Sequence, residues 1–92
     1  MVQGVAIPSV GITVKPGRIP GAEITAEAQR SAEELAGLRP GDVINAVDGK
    51  AVNTPMELAA ELSARAVGDK VRLGFMIHGQ WQSEAVVQLQ SH

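Results

Sequence analysis

Hydrophobic and polar residues alternate over short stretches of the chain, and glycine or proline interrupts each stretch after a few residues. Alternation with a period of two is typical of strands that bury one face. The pattern predicts strands at residues 2–7, 10–14, 22–26, 42–47, 51–52, 70–77 and 81–89. The last two flank His78-Gly79-Gln80, and we expect them to form a hairpin. Trp81 alternates with polar neighbours, which favours a buried position over an exposed contact.

The clearest helix signal follows the fifth of these strands. Thr54 is the predicted N-cap, Pro55 stands at the first helical position, and Glu57 is the reciprocal partner of a capping box. Apolar side chains recur one turn apart after this start. We expect the helix to run to about Arg65, before a glycine and an aspartate turn the chain.

A shorter helix signal lies in the middle of the chain. Ser31 and Glu34 have the spacing of a capping box, and Gly37 is placed to end the helix in a left-handed conformation. With both helices, the order of elements is β-β-β-α-β-β-α-β-β. This order predicts a mainly β, α+β fold: a small, partly open antiparallel barrel or sandwich of five to six strands capped by two helices. The 92 residues fit a single domain, 1–92, with its core at about residues 9–89.

Composition excludes several classes of function. A net charge of −2 without a run of Lys or Arg lacks the basic surface that nucleic acid or an anionic membrane requires. No apolar run is long enough for a membrane span. The chain has no cysteine and two histidines, His78 and His92, so we expect no disulfide, no metal site and no cofactor. A catalytic Ser-His-Asp site would need His78, which lies in the predicted hairpin, and we expect no catalytic residues.

A tight corner at Pro40-Gly41-Asp42 leads into the predicted strand 42–47. Asp42 could be read as a catalytic carboxylate. An aspartate directly after Pro-Gly more commonly accepts hydrogen bonds from nearby backbone N–H groups, and we interpret it as a turn residue.

The ordered set of SAEELAGL at 31–38, RPGDVI at 39–44 and VDGKAV at 47–52 closely resembles the first helix, the GL-x-PGD-x-I corner and the V-[ND]-G turn of PDZ domains. The resemblance extends over residues 9–89 and is strongest to the bacterial type found in HtrA-like and C-terminal processing proteases. It implies a peptide-binding module, with no catalytic site of its own, that presents substrate or regulates activity in a larger bacterial protease.

The resemblance also implies where a peptide binds. In PDZ domains an extended peptide adds as a strand between the second strand and the second helix. The x-Φ-G-Φ loop that holds the ligand carboxylate corresponds to Ser9, Val10, Gly11 and Ile12. Main-chain bonds to the peptide are expected from Ile12, Thr13 and Val14, and the pocket for its last side chain from Val10 and Ile12.

The second predicted helix forms the other wall of this groove. A step of about 100° per residue places Pro55, Ala59 and Leu62 on one face. Pro55 and Met56 stand where some PDZ domains carry a ligand-binding histidine, so an apolar side chain is expected two residues before the ligand's end. No Lys or Arg precedes Lys15. Because many PDZ domains have a basic residue there, an internal segment remains an alternative to a protein C-terminus as the ligand.

The cellular compartment and the parent protein are inferred from the resemblance alone. It favours the periplasm or cell envelope and a protease domain in the same parent chain as a partner. The alternative is a structural or assembly domain whose groove is filled by a neighbouring domain or subunit.

Overall fold

The computed structural model describes residues 4–27, 37–77 and 79–90, which fold around one antiparallel β-sheet. The described part contains one helix, α1 (Pro55–Ser63). The strands are β1 (Val5–Ile7), β2 (Ile12–Pro16), β3 (Ala22–Glu27), β4 (Val43–Val47), β5 (Lys50–Ala51), β6 (Lys70–Ile77) and β7 (Trp81–Gln88). The helix predicted from Ser31 to Gly37, with its capping box, lies outside the described residues except for Gly37 itself, whose φ is 95°.

The strands follow the order β1-β2-β3-β4-β6-β7, and β5 pairs with β4. The predicted hairpin is confirmed, because β6 and β7 pair along their whole length, from Lys70 opposite Gln88 to Ile77 opposite Trp81. The α+β, mainly β class and the open architecture are also confirmed. The sheet has seven strands rather than five to six, because the two-residue β5 and the short β1 both take part.

The core lies between the sheet and α1. It is built from alternate residues of the strands, such as Val71, Leu73 and Phe75 on β6, and from Leu58 and Leu62 on α1. Fully burying each such side chain stabilises the fold by roughly 1.5–3 kcal/mol relative to leaving it exposed. The apolar face of the helix is therefore held against the sheet, in the position where it can form one wall of a groove.

The corner before β4 has the predicted structure. Asp42 is only 6% exposed, and its Oδ2 accepts the backbone N–H of Arg39 at 3.1 Å. The backbone N–H of Asp42 in turn donates to the carbonyl of Arg39, also at 3.1 Å. Gly41 has a φ of 99°, which a residue with a side chain rarely adopts. Asp42 is therefore a turn residue, as predicted.

The predicted N-cap of α1 is confirmed at Thr54, and Glu57 reaches back past it to the residue before. Thr54 accepts the backbone N–H of Glu57 at 3.1 Å, and the Glu57 carboxylate accepts the backbone N–H of Asn53 at 3.0 Å. The helix ends at Ser63, two residues before the predicted end at Arg65. Its last turn tightens there, since the backbone N–H of Arg65 donates to the carbonyl of Leu62 three residues back.

The prediction that Trp81 is buried is wrong, because its side chain is 60% exposed. Trp81 lies opposite Ile77 at the hairpin end of the β6–β7 ladder, where Ile77 itself is only half-buried. Alternation placed the tryptophan on the correct side of the strand, but the core does not extend to this end of the sheet. His78 and His92 lie outside the described residues.

Candidate functional site

The loop that the sequence assigns to carboxylate binding closes a hairpin between β1 and β2. The backbone N–H groups of Val10 and Gly11 both donate to the carbonyl oxygen of Ile7, at 3.2 and 3.0 Å. Gly11 has a φ of 70°, and this left-handed conformation, which glycine adopts readily, leads the chain from the turn into β2. These two amides, called the cradle below, therefore converge on one acceptor within the turn, as the amides of a backbone nest converge on an anion.

Strand β2 begins at Ile12, two residues later than the strand predicted at 10–14. Val10 and Gly11 belong to the turn instead. The side chains of Val10, Ile12 and Val14 are buried in the core, each at most 3% exposed, and Ile7 belongs to the same cluster. Thr13 alternates with them and is half-buried on the opposite face of the strand.

Both edges of this part of β2 are paired. On one side β1 lies antiparallel to it, with Val5 opposite Val14, Ala6 opposite Thr13 and Ile7 opposite Ile12. On the other side lies β3, with a bulge between Thr13 and Val14. The edge of the sheet beside α1 is therefore the strand Val5–Ile7, and the peptide backbone of Ile12 to Val14 already has a partner at the position expected for a ligand.

A pocket of about 400 Å³ separates β1 from the C-terminal half of α1. Its lining is mostly apolar, and its polar residues are two serines, one arginine and one glutamine. The residues around it are Ala6, Ile7, Pro8, Ser9, Ala59, Leu62, Ser63, Arg65, Val67, Leu89 and Gln90. A cavity of this size and character accommodates an apolar side chain.

The pocket brings together three of the residues predicted for the site, Ser9, Ala59 and Leu62. The residues predicted at 10–14 do not line it, because they lie behind β1 or in the core. Neither do the first two residues of α1: Pro55 is buried, and Met56 is 69% exposed.

Sequence reasoning missed the contribution to this pocket of β1, of the loop before β6 and of the residues that follow β7. Ala6 and Ile7 form its wall on one side, and Val67 and Leu89 form it on another. Residues 2–7 were predicted as a strand, but alternation does not identify the strand's partner. The four residues between Ile7 and Ile12, with a glycine at the end, were the available signal for a hairpin.

Arg65 is the only cation among the described lining residues of the pocket, and its charge is compensated. Its Nη2 lies 3.0 Å from Oδ2 of Asp48, and its Nη1 lies 3.5 Å from Oε1 of Glu61 and donates to the Glu61 carbonyl. Lys50 binds the other oxygen of Glu61 at 2.7 Å. The polar margin of the pocket is thus an ion-pair network that also fixes the end of α1.

Hydrogen bonds within this network lower the pKa of the Asp48 and Glu61 carboxylates. The backbone N–H of Arg72, at 2.8 Å, is the main cause of the lowered pKa of Asp48, and Arg65 adds to it. Lys50 is the main cause of the lowered pKa of Glu61. In the described part of the chain no three His, Asp or Glu side chains are grouped as metal ligands. The same part contains no helix long and apolar enough to cross a membrane.

Comparison with known sequences places this geometry in a family context. A model of the PDZ domain family matches residues 8–89. The magnetosome formation protease MamE of Magnetospirillum gryphiswaldense is 44% identical over 52 residues, and that of Paramagnetospirillum magneticum is 42% identical over 52 residues. These segments cover 56% of this chain and 7% of each relative. The match thus spans a small part of those proteases.

Solved structures with the same fold also come from proteases. A variant of the HtrA-type protease AlgW with a decapeptide has a TM-score of 0.76 and 18% identity, over 98% of this chain and 29% of that one. A serine endoprotease from Yersinia pestis has a TM-score of 0.74 and 19% identity, over 96% of this chain and 29% of that one. At this level of identity the similarity shows a shared fold.

Proposed function

The chain belongs to the PDZ domain family, and we propose that it is the peptide-binding module of a larger bacterial protease. Its relatives by sequence and by fold include proteases in which the matched part is 7% and 29% of the whole. In such a parent the module presents substrate or regulates activity, and the parent acts in the periplasm or cell envelope. The catalytic residues belong to the parent's protease domain.

One observation carries the proposal: the amides of Val10 and Gly11 converge on a single oxygen beside an apolar pocket. A peptide carboxylate is a stronger acceptor for these two N–H groups than a carbonyl, because charge-assisted hydrogen bonds are stronger than neutral ones. The last side chain of the peptide then enters the pocket between Ser9, Ala59 and Leu62. Since these walls are mostly apolar, an aliphatic last residue fits best.

The rest of the peptide takes the place of β1, pairs with Ile12, Thr13 and Val14 as an added strand, and has α1 on its other side. Pro55 and Met56 at the start of α1 meet the side chain two positions before the last, which favours an apolar residue there. Such a short strand buries little surface. We expect micromolar affinity, about −8 kcal/mol or weaker.

Nuclear magnetic resonance tests this function directly. The ¹⁵N-labelled domain is titrated with peptides that have free aliphatic C-termini and with the same peptides amidated. Shifts confined to residues 9–14 and the pocket-facing side of α1, and lost on amidation, are the expected result. If those amides do not respond to any peptide, even when β1 is displaced, the proposed function is wrong. If amidated peptides bind equally well, the ligand is an internal segment and the carboxylate plays no part.

A matched pair of glycine variants adds specificity to this test. In Gly11→Ala the left-handed φ of 70° is strained, so the amides turn away from the acceptor and peptide binding weakens. Gly79→Ala introduces the same strain at a φ of 67° in the distant β6–β7 hairpin. This control is expected to bind peptide like the parent chain. Equal weakening in both variants points to general destabilisation instead.

The assembly alternative also has support from one observation, namely that β2 already has a partner on each edge. A domain of this kind uses the outer edge of β1 to pair with a neighbouring domain or subunit. It predicts no response to free peptides and a concentration-dependent dimer in light scattering. A monomer at all concentrations that binds peptides excludes it.

A further inference from the structure

We propose that residues 4–7 are an internal ligand of the groove, which competes with external peptides and shows their chemical class. The occupant is the short strand Val5–Ile7 together with Gly4. The inference rests on the proposed function and extends it in two ways. It makes the site self-inhibited, and it identifies the preferred ligand as a peptide that ends in an aliphatic-small-aliphatic sequence like Val-Ala-Ile.

The backbone of this segment takes the position of a bound peptide. It runs antiparallel to β2 on the edge beside α1, in register from Val5 opposite Val14 to Ile7 opposite Ile12. The Ile7 carbonyl accepts both amides of the cradle. A separate peptide that ended in isoleucine at this position would place one carboxylate oxygen where this carbonyl lies. The second oxygen would occupy the position of the Pro8 nitrogen, where the chain now continues.

The side chains of the segment define the ligand class. Ile7 is 4% exposed and belongs to the core cluster beside the pocket, Ala6 is exposed, and Val5 is half-buried against the core. At Gly4 a Cβ atom would lie 2.9 Å from Cγ2 of Thr13, closer than real Cβ contacts. A ligand of the same shape therefore has glycine directly before its valine.

Two features make the segment displaceable. It is a three-residue edge strand, so few ladder bonds hold it, and its outer side faces the pocket. The PDZ family model matches from residue 8, which is the first residue after this strand. A tethered competitor acts at an effective concentration of roughly millimolar order. An external peptide binds only the molecules in which β1 has left the groove, so its apparent affinity is its intrinsic affinity multiplied by the fraction of such molecules.

A reversible crosslink tests the competition in the full chain. The chain has no cysteine, so a double variant with Ala6→Cys and Thr13→Cys contains only the designed pair. Directly opposite residues of antiparallel strands have Cα atoms about 4.5–5.5 Å apart, which a disulfide spans. The oxidised form holds β1 in place, and reduction with a phosphine releases it. Each sample thus serves as its own reference.

The probe is a synthetic peptide, Gln-Gly-Val-Ala-Ile with a free carboxylate, and binding is measured by calorimetry. The reduced double variant is expected to bind it at least about ten-fold more tightly than the oxidised form. The single variants Ala6→Cys and Thr13→Cys control for the reductant and are expected to show no redox dependence. The same peptide with aspartate as its last residue is expected not to bind.

A second variant acts in the opposite direction without a crosslink. The Gly4→Val substitution forces the segment away from Thr13. The variant is therefore expected to bind the probe several-fold more tightly than the parent chain. Equal affinity in the oxidised, reduced and Gly4→Val forms overturns the inference and leaves the proposed function intact. Failure of the two thiols to form a disulfide also overturns it. Absence of binding in every form, Gly4→Val included, instead overturns the proposed function.

Discussion

The Arg65 guanidinium holds the Asp48 carboxylate at 3.0 Å and so joins the end of the helix to the turn between β4 and β5. The same carboxylate accepts the backbone N–H of Arg72 on β6 at 2.8 Å. Three elements therefore meet at one side chain. Asp48 has a φ of 50°, which aspartate and asparagine tolerate better than most residues, so its type is required both by the turn and by the ion pair.

Asp48→Asn isolates the charge from the turn, because asparagine also accepts the left-handed conformation. The substitution is expected to lower the free energy of unfolding by about 1 kcal/mol, since the ion pair is partly exposed and the backbone N–H of Arg72 keeps a neutral acceptor. Urea denaturation measures the change. Glu84→Gln, which removes an exposed carboxylate on β7, is the control and is expected to have little effect. An equal loss in both variants contradicts the role assigned to the ion pair.

The pH dependence of stability follows from the lowered pKa values. The ordinary values are 3.8 for Asp48 and 4.5 for Glu61, and the folded protein binds these protons more weakly than the unfolded chain does. The stabilisation is therefore complete above the ordinary values and is lost as pH falls through the lower folded values. Urea midpoints are expected to be constant above about pH 6 and to fall below about pH 4.

Asp48→Asn is expected to reduce this acid-dependent part, because it removes one of the two described carboxylates whose pKa is lowered. The urea midpoints of the variant and of the parent chain should converge at the lowest pH. If the difference between them is as large at low pH as at neutral pH, the charge of Asp48 does not contribute to stability.

Gly21 is required by a close backbone contact as well as by its φ of 140°. A Cβ atom there would lie 2.6 Å from the carbonyl oxygen of Ile44 and 2.7 Å from Cγ1 of Val43. Gly21→Ala is expected to cost roughly 2–4 kcal/mol, because β3 and β4 must separate locally to admit it. Thermal or urea unfolding measures this cost.

Gly68→Ala is the matched control for this clash. Gly68 also has a positive φ, of 93°, but no atom lies within 4 Å of the Cβ that alanine would add. Its expected cost is about 1 kcal/mol, from backbone strain alone. If both variants lose the same free energy of unfolding, the close contact with Ile44 adds nothing to the cost of Gly21→Ala.

The pocket beside α1 can be filled from within. Ala59 is half-buried on its wall, and Ala59→Phe is expected to occupy the space and weaken the binding of peptides with aliphatic C-termini at least about ten-fold. Ala60→Phe places the same ring at the next position of the helix, which is exposed and outside the lining, and is expected to bind like the parent chain. Fluorescence anisotropy with a labelled peptide compares the two. Undiminished binding in Ala59→Phe excludes this pocket as the ligand's last subsite.

Local features of this protein were determined by the sequence itself. The turn role of Asp42, the Thr54 N-cap and the β6–β7 hairpin all depend on hydrogen bonds between residues close in the chain or on a short turn. Residue types report such interactions directly, because the same few atoms decide them wherever they occur. The ordered corner motifs likewise sufficed to identify the family.

Only the tertiary structure decided which surfaces are occupied. Alternation predicted a strand before residue 8, but the position of this strand beside α1, next to the pocket, depends on how the helix packs against the sheet. The exposure of Trp81 depends on how far the core extends along the sheet. Strand pairing and burial are properties of distant segments brought together, and the period of a strand is the same whichever neighbour covers it.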